Sequence, residues 1–183
     1  MHVAVTGGNG FIGSAVVAAL GERGAVVRSA GRNVSPQGSA VGVYLDIRDQ
    51  RTWENLLIPF PPERLVHCAW EYLGDFDDPR HYRELLPVHL SFLHWCAEKG
   101  ITDITVAGTC LEYGRKSGEM REETPAEPAT AYAIAKDALR RSLEHAADRV
   151  PFVLKWARIF FVKGEAGAEK GVFKAIRDAG MAG

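Results

Sequence analysis

The segment Thr6-Gly-Gly-Asn-Gly-Phe-Ile-Gly13 constrains this chain more than any other. It follows His2 to Val5, a short apolar run that reads as a buried strand. It opens into Phe11 to Gly21, where Ile12, Ala15, Val16, Ala19 and Leu20 recur at helical spacing. The order is therefore strand, tight loop, helix. The glycines fit both Gly8-x-Gly10-x-x-Gly13 and Gly7-x-x-Gly10-x-x-Gly13, and in this setting either pattern is the fingerprint of a dinucleotide loop. One glycine allows the turn, one lets the backbone approach a pyrophosphate, and one lets the helix pack against the strand. The free N–H groups at the helix start attract phosphate charge.

The rest of the chain alternates in the same way. Strands are expected over 25–30, 41–45, 64–68, 101–107 and 152–161. Helices are expected over 51–57, 79–99, 130–147 and 171–179. Pro59, Pro61 and Pro62 stop the first of these, and Pro87 begins or kinks the main part of the second. Strands alternating with helices imply an α/β fold, a Rossmann-like doubly wound parallel sheet with helices on both faces. No repeat or linker divides the chain, so 1–183 reads as one domain.

Composition narrows the function classes. With 22 basic and 23 acidic residues among 183, there is no net pull toward nucleic acid or an anionic membrane. Cys68, Cys96 and Cys110 are odd in number and lack CxxC spacing, which argues against a disulfide framework and against a metal site. Neither a secretory leader nor an apolar run of membrane-spanning length is visible, so a cytoplasmic, soluble protein is expected.

Two groups of residues carry chemistry. The end of the second strand reads Ser29-Ala30-Gly31-Arg32, without the acid that an NAD-specific loop uses for the ribose hydroxyls. Arg32, helped by Arg28 or Asn33, suits a ribose 2′-phosphate instead, so the cofactor is NADP or NAD with NADP favoured. Asp46, ending the third strand, is a candidate partner for the adenine amino group. Farther along, Tyr132 and Lys136 stand at i and i+4 on one helix face, where the ammonium is expected to favour the phenolate. Thr109, at the carboxyl end of the strand before it, is in reach of a reacting oxygen.

Taken together, TGGNGFIG, Asp46, His67-Cys68-Ala69, GTCLEYG and YAIAK resemble the extended short-chain dehydrogenase/reductases, over Met1 to about Gly164. More narrowly they resemble the NAD(P)-dependent nucleotide-sugar epimerase/dehydratase branch. The resemblance implies that Thr109, Tyr132 and Lys136 are catalytic. It implies a cofactor held by Gly7, Gly10, Phe11, Ile12, Gly13, Arg32, Asp46, Ile47, Ala69 and Trp70, together with Tyr132 and Lys136. Its substrate would be a nucleotide sugar, with Tyr132 moving a proton and hydride passing to or from nicotinamide. Carbonyl reduction and the transient oxidation of an epimerase use the same three residues.

The chain also departs from that pattern. Cys110 and Leu111 stand where sugar 4,6-dehydratases carry Asp and Glu, which argues against water elimination, and Phe161 replaces an Asn that commonly contacts substrate. The family's C-terminal substrate-binding region is largely absent from 1–183, so the sequence reads either as a fragment or as a shortened protein that kept the cofactor half. A non-catalytic dinucleotide-binding module or an inactive truncated paralogue is therefore the alternative reading. The family often dimerises through the helices matching 79–99 and 130–147, which leaves a homodimer open. His67, His89 and His94 read as packing residues rather than ligands.

Overall fold

A computed structural model describes residues 1–35 and 37–164. Six strands, β1 (His2–Thr6), β2 (Val26–Gly31), β3 (Val41–Tyr44), β4 (Arg64–His67), β5 (Asp103–Thr109) and β6 (Val153–Ile159), form one sheet in the order β3-β2-β1-β4-β5-β6. Every pairing is parallel. The order reverses between β1 and β4, the switch point at which ligands of doubly wound sheets bind. The expected fold class is therefore the observed one.

Both faces of the sheet are covered, as a parallel sheet requires. In β1, Val3 and Val5 pack with Val17 of α1 (Phe11–Glu22), whereas Ala4 joins the larger core on the opposite face. Phe92 and Leu93 of α2 (Leu86–Glu98) and Leu139 and Leu143 of α3 (Ala131–Ala147) fill that core, together with Trp53, Leu65 and Ile104. The alternation of side chains along β1 thus assigns one residue set to each layer. Among the described residues, no helix is long and apolar enough to cross a membrane.

The expected helices are refined in three places. The segment Gln50–Leu57 is 3-10 rather than α, capped by Asp49 and followed by the proline run that starts at Pro59. The stretch expected over 79–99 begins as one π-helical turn, His81–Leu85, in which Leu86 N–H reaches the His81 carbonyl. Pro87 has no N–H to offer, so the regular ladder starts only there. A 3-10 turn, Cys110–Tyr113, follows β5 directly and was not expected. The helix expected over 171–179 lies outside the described residues.

A row of polar side chains runs through the core beneath the switch point. Thr6 Oγ1 meets His67 Nδ1 at 2.8 Å, and His67 Nε2 meets His89 Nδ1 at 2.8 Å. Both histidines are buried, so His67 and His89 are packing residues, as their sequence setting suggests. Burial pushes His67 down to about 3 and lowers His89 as well. Below the ordinary histidine value of 6.5 the unfolded chain therefore takes up protons that the folded chain refuses, and stability falls as pH drops from there toward 3. Urea denaturation at several pH values should show this slope. A His67→Gln, His89→Gln double variant should lose up to about two protons of it, and an unchanged slope would contradict the assignment.

Candidate active site

The glycine loop forms one wall of a cleft of about 440 Å³ at the switch point. Gly7 has a left-handed φ of 68°, and a Cβ there would stand 2.8 Å from the backbone nitrogen of Ala69. A Cβ on Gly13 would collide with the Gly7 carbonyl oxygen, whereas one on Gly10 would come within 3.1 Å of it. Gly8 faces the other way, where a Cβ would run into the Ser29 side chain. Of the two spacings in the sequence, Gly7-x-x-Gly10-x-x-Gly13 is therefore the one that shapes the cleft. Gly10 caps α1 without any side-chain hydrogen bond, which leaves the first N–H groups of the helix to a ligand. These features fit the pyrophosphate of a dinucleotide.

Gly7, Gly10, Phe11, Ile12, Gly13, Arg32, Asp46, Ile47, Ala69 and Trp70 all line this cleft. Asp46 Oδ1 accepts from Arg48 N–H at 3.0 Å, which fixes the turn after β3. Arg32 is 61% exposed and pairs with Glu71 at 2.5 Å. Arg28 offers it no help: its buried guanidinium donates to the carbonyls of Leu56 and Phe60, each at 2.7 Å, away from the cleft. Asn33 does line the cleft, and its carbonyl accepts from Asn9. Cys68 also lines it, but burial pushes its thiol up to about 11, which leaves it a poor nucleophile.

Thr109, Tyr132 and Lys136 form one buried group beside the cleft rather than in its lining. Trp70 joins the two. Its ring stacks on His89 with centroids 4.5 Å apart, and Lys136 Nζ lies 4.0 Å from the ring centroid. Tyr132 is covered by Phe76 and His81, both with centroids at 5.3 Å, and the nearby Thr109 hydroxyl partly offsets the effect of that burial on the phenol. Helix α3 brings the tyrosine and lysine to this point because Thr130 caps it, accepting from Ala133 N–H, while Asp77 accepts from Ala131 N–H.

The electrostatics differ from the expected phenolate. Lys136 Nζ donates to the Ala107 carbonyl at 2.8 Å and lies 5.9 Å from the Tyr132 ring centroid. Burial brings the ammonium down to about 7 and sends the phenol up to about 12. At neutral pH Tyr132 is therefore a protonated group able to give its proton to a nearby oxygen.

A second buried group holds Thr109 in place and was not singled out from sequence. Glu112 is fully buried, and its carboxylate accepts from Thr109 N–H at 2.9 Å, Trp156 Nε1 at 2.9 Å and Arg158 Nε at 3.0 Å. Thr109 and Glu112 make a capping box around the 3-10 turn. The signal was present as Thr-x-x-Glu within GTCLEYG. Gly108 is required beside it, since a Cβ there would meet the Trp156 indole.

Comparison with known proteins gives this geometry a context. Residues 3–180 match the model of a family described as the NAD dependent epimerase/dehydratase family. The chain is 32% identical over 184 residues to a dTDP-6-deoxy-L-talose 4-dehydrogenase (NAD(+)) of Aggregatibacter actinomycetemcomitans, covering 98% of this chain and 68% of that protein. A crystal structure of UDP-glucose 4-epimerase superposes with a TM-score of 0.80 at 21% identity, over 90% of this chain and 53% of that one, a likeness of fold. The Thermus thermophilus UDP-glucose 4-epimerase in complex with NAD gives 0.76 at 27% identity, over 92% and 60%. This chain thus spans between about half and two thirds of the length of these relatives.

Proposed function

The chain belongs to the NAD dependent epimerase/dehydratase family, and from that premise we propose that residues 1–183 are the dinucleotide-binding domain of an NAD(P)-dependent oxidoreductase or epimerase acting on a nucleotide sugar. The observation that carries this reading is the packing of Tyr132 and Lys136, with Thr109 buried near them, against Trp70, which lines the glycine-loop cleft. Two of the relatives named above support it, one a nucleotide-sugar dehydrogenase and the other a nucleotide-sugar epimerase.

A bound nicotinamide dinucleotide would supply the acceptor or donor of hydride. The chain's own residues divide the remaining work. The helix α1 N-terminus and Gly7, Gly10 and Gly13 would hold the dinucleotide's pyrophosphate, and Ala69 and Trp70 would line the rest of its path. Thr109 Oγ1 positions the reacting sugar oxygen. Tyr132 Oη gives its proton to that oxygen in reduction and takes it back in oxidation. Lys136, fixed by the Ala107 carbonyl, keeps a positive charge beside the site whose extent changes near pH 7. With Cys110 and Leu111 in place of two carboxylates, elimination of water has no acid or base at that position. Arg32 taken alone favours a 2′-phosphate, but its guanidinium is already engaged by Glu71.

Fluorescence titration with NADH and NADPH tests the cofactor claim. Saturable binding of at least one is expected, and binding of neither would overturn the reading. Gly13→Ala should abolish that binding, because the new methyl group meets the Gly7 carbonyl and drives the helix away from the loop. The same overpacking should cost about 1–3 kcal/mol in urea denaturation.

A further inference from the structure

The loop at the end of β2 lacks an acid, yet the structure supplies a carboxylate at the same end of the cleft from elsewhere in the chain. Glu71, on the loop after β4, pairs through one oxygen with Arg32 at 2.5 Å and through the other with Arg48 at 2.9 Å. All three residues line the cleft, as does Asp46. We infer that Glu71 sets which dinucleotide the cleft accepts: it takes up the charge of Arg32 and Arg48 and accepts from an unphosphorylated adenosine ribose, so this chain selects NAD and rejects the 2′-phosphate of NADP. The inference rests on the dinucleotide reading of the cleft and names the residue that decides its specificity.

Charge and geometry both support it. Two guanidiniums pair with Glu71 here, Asp46 lines the same cleft, and Glu84 adds a third carboxylate against Arg48 at 3.2 Å. A phosphate entering here competes with Glu71 for Arg32, next to carboxylates of its own sign. A ribose diol meets a different surface. Glu71 Oε2 takes two N–H bonds from Arg48, whereas Oε1 meets Arg32 alone and retains a lone pair for a hydroxyl donor.

Glu71 is also held firmly. Arg48 donates to the Tyr72 hydroxyl at 2.9 Å, and Arg80 lies 3.8 Å over the Tyr72 ring. Tyr72 has a φ of 57°, a left-handed conformation unusual for a tyrosine, and these contacts keep the loop in it. The carboxylate is therefore held against Arg32 at the end of β2, which is where a ribose acceptor is needed.

The test is fluorescence titration of the whole chain with NADH and NADPH, for wild type, Glu71→Gln, Glu71→Asp, and Glu71→Gln combined with Arg32→Ala. Wild type should bind NADH at least about ten-fold tighter than NADPH. Glu71→Gln should tighten NADPH about ten-fold and weaken NADH, because Arg32 is then free for the phosphate. Adding Arg32→Ala should remove that gain, and Glu71→Asp, which keeps the charge, should keep the NADH preference. A wild-type preference for NADPH, or an unchanged NADH to NADPH ratio in Glu71→Gln with NADH still bound, overturns the role of Glu71 alone. Failure of wild type to bind either nucleotide overturns the dinucleotide reading, and this inference with it.

Discussion

Tyr132→Phe should lower turnover of a nucleotide sugar by about 10²- to 10⁴-fold, while leaving dinucleotide affinity within about three-fold of wild type. In barrier terms that is about 3–5 kcal/mol. The substitution removes one hydroxyl and little else. The ring keeps its stacking on Phe76 and His81, and the backbone N–H keeps its 2.8 Å bond to the Phe76 carbonyl. Tyr132 is not part of the cleft lining, so a loss confined to kcat is expected. The pH dependence has a definite sign. With the phenol pushed up to about 12, wild type holds the proton needed for reduction throughout the neutral range. Oxidation must first release it, so that direction should speed up as pH rises. Rates measured as NADH appearance and disappearance separate the two, and a change of less than about ten-fold in both directions would refute the proton-transfer role.

Glu112→Ala should cost about 3–5 kcal/mol in urea denaturation, the range for breaking a buried ion pair from one side. Three donors lose their acceptor together. Arg158, only 15% exposed, is left without its carboxylate, and the Trp156 indole and the Thr109 backbone N–H are left unpaired. Arg140 Nε, 3.8 Å from the same carboxylate and without a hydrogen bond, loses that neighbour too, while its guanidinium stays paired with Asp137 and Glu144. Glu112→Gln keeps the size and one acceptor, so its cost should be smaller, about 1.5–3 kcal/mol. Its amide still accepts from the indole but turns a donor toward Arg158. A loss below about 1 kcal/mol in Glu112→Ala would mean that the cluster relaxes into water and does not hold Thr109.

How much of this was legible depends on sequence separation. The strand, loop and helix around Gly7 to Gly13 are local, so composition and spacing disclosed them, and only the choice between Gly7 and Gly8 needed coordinates. The i, i+4 pair of Tyr132 and Lys136 was visible for the same reason. Their coupling was not, because the direction of the lysine depends on the Ala107 carbonyl, 29 residues away in sequence. Burial then reverses the expected effect on the phenol. Arg28 illustrates the same limit: its position in β2 suggests a cleft residue, but the Leu56 and Phe60 carbonyls take its guanidinium. Glu71 stands 39 positions after Arg32, and nothing local links them. Glu112 is different, since Thr-x-x-Glu is a local motif. It escaped because such a box is sought before a long helix rather than around one turn after a strand.

The polar row beneath the switch point has a consequence for the cleft above it. A neutral imidazole carries one hydrogen on its two nitrogens, so Thr6, His67 and His89 admit only two self-consistent arrangements. In one, the threonine hydroxyl points its hydrogen at His67, and His89 ends the row with an N–H. In the other, every hydrogen is reversed, and His89 ends it with a lone pair. Because His89 also lines the cleft, a hydroxyl on the strand beside the glycine loop dictates whether that part of the wall gives or receives a hydrogen. The row behaves as a single dipole with two orientations, and a ligand that prefers one of them reverses the hydrogens of all three side chains together.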